Sequence, residues 1–166
     1  MMKVLLTYSS RTGNTEKVAK AIQEVVPADT AFSQISGAPP PEEFDMVVVG
    51  FWIDKGKPNQ EALDYLSTLK NKKTAFFCTM GAHPDSPHGQ KYIKEARTLF
   101  QENQLVGEFA CQGKIDEKLI ETFKAFPPGH PHALTEESMK RFEIASNHPD
   151  EADLDRARET FREIFQ

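Results

Sequence analysis

"KVLLTYSSRTGNTEKVAKAI", residues Lys3–Ile22, sets the reading of the whole chain. A run of strand-forming residues passes at once into seven small or polar ones, "SSRTGNT", which open a stretch with Val18, Ala19 and Ile22 at helical spacing. A loop that enters a helix N-terminus has free backbone N–H groups and the positive end of the helix dipole, which is what a phosphate ester needs. Residues Ser9–Thr15 supply that arrangement. The hydroxyls of Ser10, Thr12 and Thr15 and the amide of Asn14 add donors, Gly13 permits a tight turn, and Arg11 places a cation among them. The stretch matches neither the G-x-x-x-x-G-K-[ST] of ATP-binding loops nor the G-x-G-x-x-G of dinucleotide folds.

Outward from this stretch, short β-rich runs alternate with amphipathic ones, the pattern of βαβ units and a parallel sheet. Strands are expected at Lys3–Ser9, Thr30–Ile35, Phe44–Phe51, Lys73–Met80 and Leu105–Gly113. The first, third and fourth are apolar on consecutive residues, as central strands covered on both faces should be. Helices are expected at Thr15–Val26, Gln60–Leu69, His88–Asn103 and Asp116–Phe126. After Phe126 a Pro/His-rich turn leads to two more, Thr135–Ser146 and Asp150–Phe165, with Thr135 and Asp150 as N-caps.

The 166 residues suit one domain. With 39% hydrophobic and 27% charged residues the chain reads as soluble and globular, and no apolar run approaches the roughly 20 residues of a membrane span. The N-terminus carries no cleavage-site pattern, so a cytoplasmic location is expected. A net charge of −5 argues against nucleic acid and for a partner with a basic face. Cys78 and Cys111 sit in apolar runs without metal or redox spacing and read as buried thiols. His83, His88 and the "HPH" at His130–His132 likewise lack metal spacing.

The segment Ser10–Thr15, "SRTGNT", resembles the flavodoxin family, whose [TS]-x-T-G-x-T loop follows the first strand and holds the FMN phosphate. The resemblance implies an α/β doubly wound, five-stranded parallel sheet of order 2-1-3-4-5 with helices on both faces, and FMN at the carboxyl ends of the strands. Arg11 either reaches the phosphate or presents a basic spot to a partner. The loops after the third and fourth strands should then flank the flavin ring. In the first, Phe51, Trp52, Ile53, Asp54, Lys55 and Gly56 are expected: Trp52 to pack on a flavin face, Gly56 to let a peptide reorient, and Lys55 and Lys57 to bring positive charge. In the second, Met80, Gly81, Ala82, His83 and Pro84 stand in place of the usual G-x-G-D pattern, backbone donors from Thr79 to Ala82 are expected at the pyrimidine edge of the flavin, and Tyr92 is expected to face the core.

Residues 127–166 extend beyond the single helix that ends a minimal flavodoxin, and from Thr135 onward they carry nine acidic against five basic residues. They read as a helical cover with a solvated face, or as a docking or lid element. The functional expectation is an FMN protein, a monomer with a dimer as the alternative, that shuttles electrons between a reductase and an acceptor enzyme, with no side chain in a catalytic role. Two alternatives share the fold: an FMN-dependent NAD(P)H:quinone reductase and an FMN-free regulatory module. A receiver domain would need paired acidic residues after the first strand, and "TYSSRTG" has none.

Overall fold

The computed structural model describes all residues 1–166. Strand β1 (Val4–Tyr8) leads through the polar loop into α1 (Asn14–Gln23), and β2 (Ala31–Gln34) follows Pro27. Two single 3-10 turns, at Ile35–Gly37 and Pro41–Glu43, take the place of a crossover helix before β3 (Met46–Asp54). Next come β4 (Lys57–Pro58), α2 (Gln60–Leu66), β5 (Lys73–Met80), α3 (Pro87–Thr98) and β6 (Gln104–Gln112). Three helices end the chain: α4 (Glu117–Lys124), α5 (Glu136–Ala145) and α6 (Glu151–Ile164).

The sheet runs β2-β1-β3-β5-β6 with all main pairings parallel, which is the expected order 2-1-3-4-5 with one short antiparallel strand, β4, added against β3. Strands β1, β3 and β5 bury successive residues because alternate side chains feed two cores. Val4, Leu6, Tyr8, Val48 and Phe77 face α1 and α6, together with Val18, Ile22, Ala157 and Phe161. Leu5, Val47, Val49, Phe51 and Phe76 face α2 and α3, together with Ala62, Leu66, Ile93 and Phe100. The ring of Phe77 lies directly over Gly50, so a side chain at that position has no room. No helix is long and apolar enough to cross a membrane.

Two expectations need correcting. The third strand does not stop at Phe51: it continues to Asp54, turns through Lys55 (φ 51) and Gly56 (φ 82), and returns as β4. The positive φ at two consecutive central residues is the geometry of a tight β-hairpin, which "DKGK" supplies in place of an open loop. Nor is 127–166 one appended segment. Helix α6 is part of the sheet's cover, with Phe161 fully buried and set edge-on to Phe77 at 6.2 Å. The excursion is instead residues 113–149, whose ends meet where Lys114 N donates to His148 O at 2.8 Å. Helix α4 buries no residue, and the aromatic rings inside the excursion stack on one another: Phe123 on Phe142 at 6.2 Å and Phe126 on His130 at 4.1 Å. The N-caps at Thr135 and Asp150 form as expected, each as a reciprocal capping box.

Candidate functional site

β1 and β3 are neighbours, yet their following helices α1 and α2 lie on opposite faces, so the strand order reverses at this point and leaves a crevice beyond the strand ends. Residues Ser9–Thr15 line it. Ser9 N donates to Gly50 O at 2.9 Å, which fixes the loop to β3, and Gly13 (φ 96) stands at the N-cap of α1 without a side-chain cap. Among the protein's hydrogen bonds none uses a backbone N–H from Ser10 to Thr15. Consecutive free N–H groups at a helix N-terminus form a cradle for an anion.

The loop's side chains divide into two sets. Thr15 is buried, its Oγ1 2.9 Å from Thr79 Oγ1, and this pair ties the cradle to β5. Asn14 Nδ2 donates to Lys114 O at 2.9 Å, and Ser10 Oγ accepts from Glu16 N at 3.2 Å. These residues shape the loop. Thr12 makes no hydrogen bond within the protein through its hydroxyl and is exposed at the cradle. Arg11 lies with its guanidinium carbon 5.9 Å from the Trp52 ring centroid and 3.4 Å, through Nη2, from Asp116 Oδ2. Of the two expected orientations it takes the outward one, with 62% of its side chain exposed. At the root of the loop, Tyr8 donates to Glu16 at 3.3 Å, and burial, followed by the Glu16 charge, raises its pKa.

The β3–β4 hairpin forms the second wall. Trp52 pairs with Thr79 at the end of β3 and is half-buried, so an aromatic ring stands at the mouth of the crevice. Phe51 is different. It is fully buried and stacks on Phe76 at 5.4 Å, so its side chain cannot reach a ligand in the crevice, because neighbouring residues of a strand point to opposite faces. Ile53 belongs to the same core, and Asp54, Lys55 and Lys57 are exposed at the tip. Tyr92 lies in α3 and packs against the α2/α3 core, as expected; its ring is also 3.2 Å from where a Gly56 Cβ would be and stacks on His88 at 6.2 Å.

The turn after β5 forms the third wall. Thr79 and Met80 are buried, Met80 with its side chain in the α2/α3 core, while Gly81 and Ala82 are half-buried. His83 is exposed and serves the turn itself: its Nδ1 accepts from Asp85 N at 3.1 Å and its carbonyl accepts from Ser86 Oγ at 2.6 Å.

Sequence reasoning missed two contributors. One is Gly113–Asp116, which runs off β6 against both loops: Asn14 packs 2.7 Å from where a Gly113 Cβ would stand, and Ile115 lies 2.7 Å from that of Gly81. Only the topology reveals this, since 100 residues separate Asn14 from Lys114. The other is Asn59, which ends the hairpin, is buried and donates to Ser9 Oγ at 2.8 Å. The group His148, Asp150 and Asp153 lies at the start of α6, where His148 O accepts from Lys114 N. Its carboxylates are spent on the capping box of α6, on His148 and on Arg156, so it reads as a helix start.

The family model described as "Flavodoxin domain" matches residues 5–162. The chain is 32% identical over 161 residues to the flavodoxin-like domain-containing protein BilS of Clostridioides difficile (strain CD3), covering 92% of this chain and 90% of the relative. It is 26% identical over 172 residues to the BilS protein of Clostridium symbiosum (strain WAL-14163), with the same coverage of 92% and 90%. Among solved structures, a flavodoxin from the domain Archaea has a TM-score of 0.59 at 15% identity, over 98% of this chain and 96% of that one. A flavoprotein from Lactobacillus acidophilus NCFM in complex with FMN has a TM-score of 0.54 at 15% identity, over 74% and 98%. At these identities the solved structures share the fold.

Proposed function

The chain belongs to the flavodoxin family, and from that premise we propose that it binds FMN in the Ser9–Thr15 crevice and carries electrons, in the cytoplasm, between a reductase and an acceptor enzyme. One observation carries the reading: the backbone N–H groups from Ser10 to Thr15 are all without a protein acceptor, and they lie at the switch point beside the half-buried ring of Trp52. The donor set fits the group. A phosphate dianion is met by neutral N–H and hydroxyl donors and the helix dipole, while Arg11 is engaged with Trp52 and Asp116. The FMN complex of the similarly folded Lactobacillus acidophilus flavoprotein supports the choice of ligand.

Ser9, Thr12 and the free N–H groups would hold the phosphate, and Trp52, the Asp54–Gly56 turn and Gly81–Ala82 would flank the ring. Bound FMN supplies redox chemistry in single-electron steps, and the chain supplies binding, orientation and exclusion of water. Lys55 and Lys57, exposed at the hairpin tip, bring positive charge that favours reduction by Coulomb attraction. The acidic balance of −5 suits docking to a basic partner surface.

The test is a reconstituted chain of transfer. FMN-loaded protein is mixed with NAD(P)H, a separate flavodoxin reductase and a haem-protein acceptor. Acceptor reduction that requires both reductase and this protein supports a carrier. Sustained NAD(P)H oxidation by the loaded protein alone with a quinone overturns the carrier reading in favour of a quinone reductase.

A further inference from the structure

Asn59 occupies the N-cap position of α2, where an asparagine ordinarily accepts a hydrogen bond from the first turn of the helix. It makes no such bond. The residue is only 5% exposed, and its carboxamide is spent in another direction. Nδ2 donates to Ser9 Oγ at 2.8 Å, Oδ1 accepts from Trp52 N at 3.3 Å, and its own backbone N donates to Trp52 O at 2.9 Å. One buried amide therefore joins the phosphate loop to the strand end that carries the ring-facing tryptophan.

The direction of these bonds matters. Ser9 Oγ accepts from Asn59, so the hydroxyl keeps its proton for an outward bond, and none of the protein's own hydrogen bonds takes it. An amide that donates to a hydroxyl turns it into a donor toward the cradle, as an anion requires. At the other end, Asn59 bonds both the N–H and the C=O of Trp52, so a displacement of the loop is passed to the hairpin.

We propose that Asn59 is a positioning residue that couples the phosphate loop to the Trp52 hairpin, so that the phosphate and the ring of one FMN molecule are recognised as a unit. The inference rests on the FMN reading given above. It also accounts for an asparagine at an N-cap whose side chain leaves the helix uncapped.

The test compares FMN with riboflavin, which has the ring but no phosphate, by quenching of flavin fluorescence at about 0.5 M salt, which screens exposed charges, and uses the Ser9→Ala background to separate the repulsion of a buried carboxylate from the lost bond. Asn59→Asp keeps an acceptor for Trp52 N and loses the donor to Ser9. It is expected to raise the Kd for FMN about tenfold and that for riboflavin less than about threefold. Ser9→Ala should weaken FMN to a similar degree, and adding Asn59→Asp to it should cost little more, because both remove the same link. Asn59→Ala removes both links. It should weaken both ligands and shift the emission of Trp52, the only tryptophan; should that variant fail to fold, the Asp variant still decides.

Equal weakening of FMN and riboflavin by Asn59→Asp, or additive losses in the double variant, overturns the coupling role. Wild-type protein that binds neither flavin overturns the FMN reading itself. Wild-type binding with indifferent Asn59 variants overturns only the role given to Asn59.

Discussion

Replacing Phe161 by alanine tests whether the last helix belongs to the fold or merely follows it. Phe161 is fully buried in α6, packs among Val18, Val48 and Ala157, and meets Phe77 edge-on at 6.2 Å with planes 89° apart. Removing a buried phenylalanine ring costs about 3–5 kcal/mol, part of which is the aromatic pair. With a urea m-value of about 2 kcal/mol/M, a loss of about 4 kcal/mol lowers the unfolding midpoint by about 2 M. That is a large share of a total stability of about 5–15 kcal/mol. The assay is urea unfolding of the flavin-free protein followed by far-UV circular dichroism, with Phe123→Ala as the comparison. Phe123 lies in the excursion, half-buried and stacked only on His132 and Phe142, and its loss should move the midpoint by less than about 0.7 M. A shift below about 0.5 M for Phe161→Ala, or a larger one for Phe123→Ala, would refute the assignment of α6 to the core and of 113–149 to the periphery.

Gly50→Ala places a methyl group inside the ring of Phe77, so about 1–3 kcal/mol of stability should be lost, read as a fall of about 1 M in the urea midpoint; an unchanged midpoint would contradict the packing. Cys78 and Cys111 are buried and unpaired, and burial pushes both thiols far above the ordinary range, so neither should react with a thiol reagent at pH 8 until denaturant is added. Rapid labelling of either in native protein would show the strand ends to be open. Asp150 caps α6, and the Asp153 backbone N–H, above all, holds its carboxyl below the usual range. A depressed folded-state pKa gives stability that is present above the unfolded value and lost as pH falls through the folded one. Asp150→Ala should therefore melt below wild type at pH 7, with the gap closing below about pH 4; a gap constant into acid would rule out the cap as its cause.

Much of the fold was legible because local signals and tertiary demands agree. "KVLLTYS", "FDMVVVGF" and "KTAFFCTM" are apolar on consecutive residues, and in the structure they are the strands buried on both faces. The Ser9–Thr15 loop was legible for a related reason: it is contiguous, and the free backbone N–H groups it offers can be placed from "SSRTGNT" itself. What escaped was long-range. Trp52 and Phe51 are neighbours in sequence but point to opposite faces, so naming both as ligand-facing ignored the pleat. Asn59 drew no reading of its own, because its bond to Ser9 spans 50 residues. The Pro/His-rich turn suggested a boundary at Phe126, whereas the chain leaves the sheet at Gly113 and returns at Asp150, where capping and the burial of Ala157 and Phe161 seat α6.

The most direct measurement is a titration of FMN with the flavin-free protein, followed by quenching of flavin fluorescence. Saturable quenching at one FMN per chain is expected, tighter than with riboflavin because the Ser10–Thr15 N–H groups take the phosphate, and weakened when a side chain replaces Gly13 (φ 96). No quenching, or equal affinity for FMN and riboflavin, would contradict it.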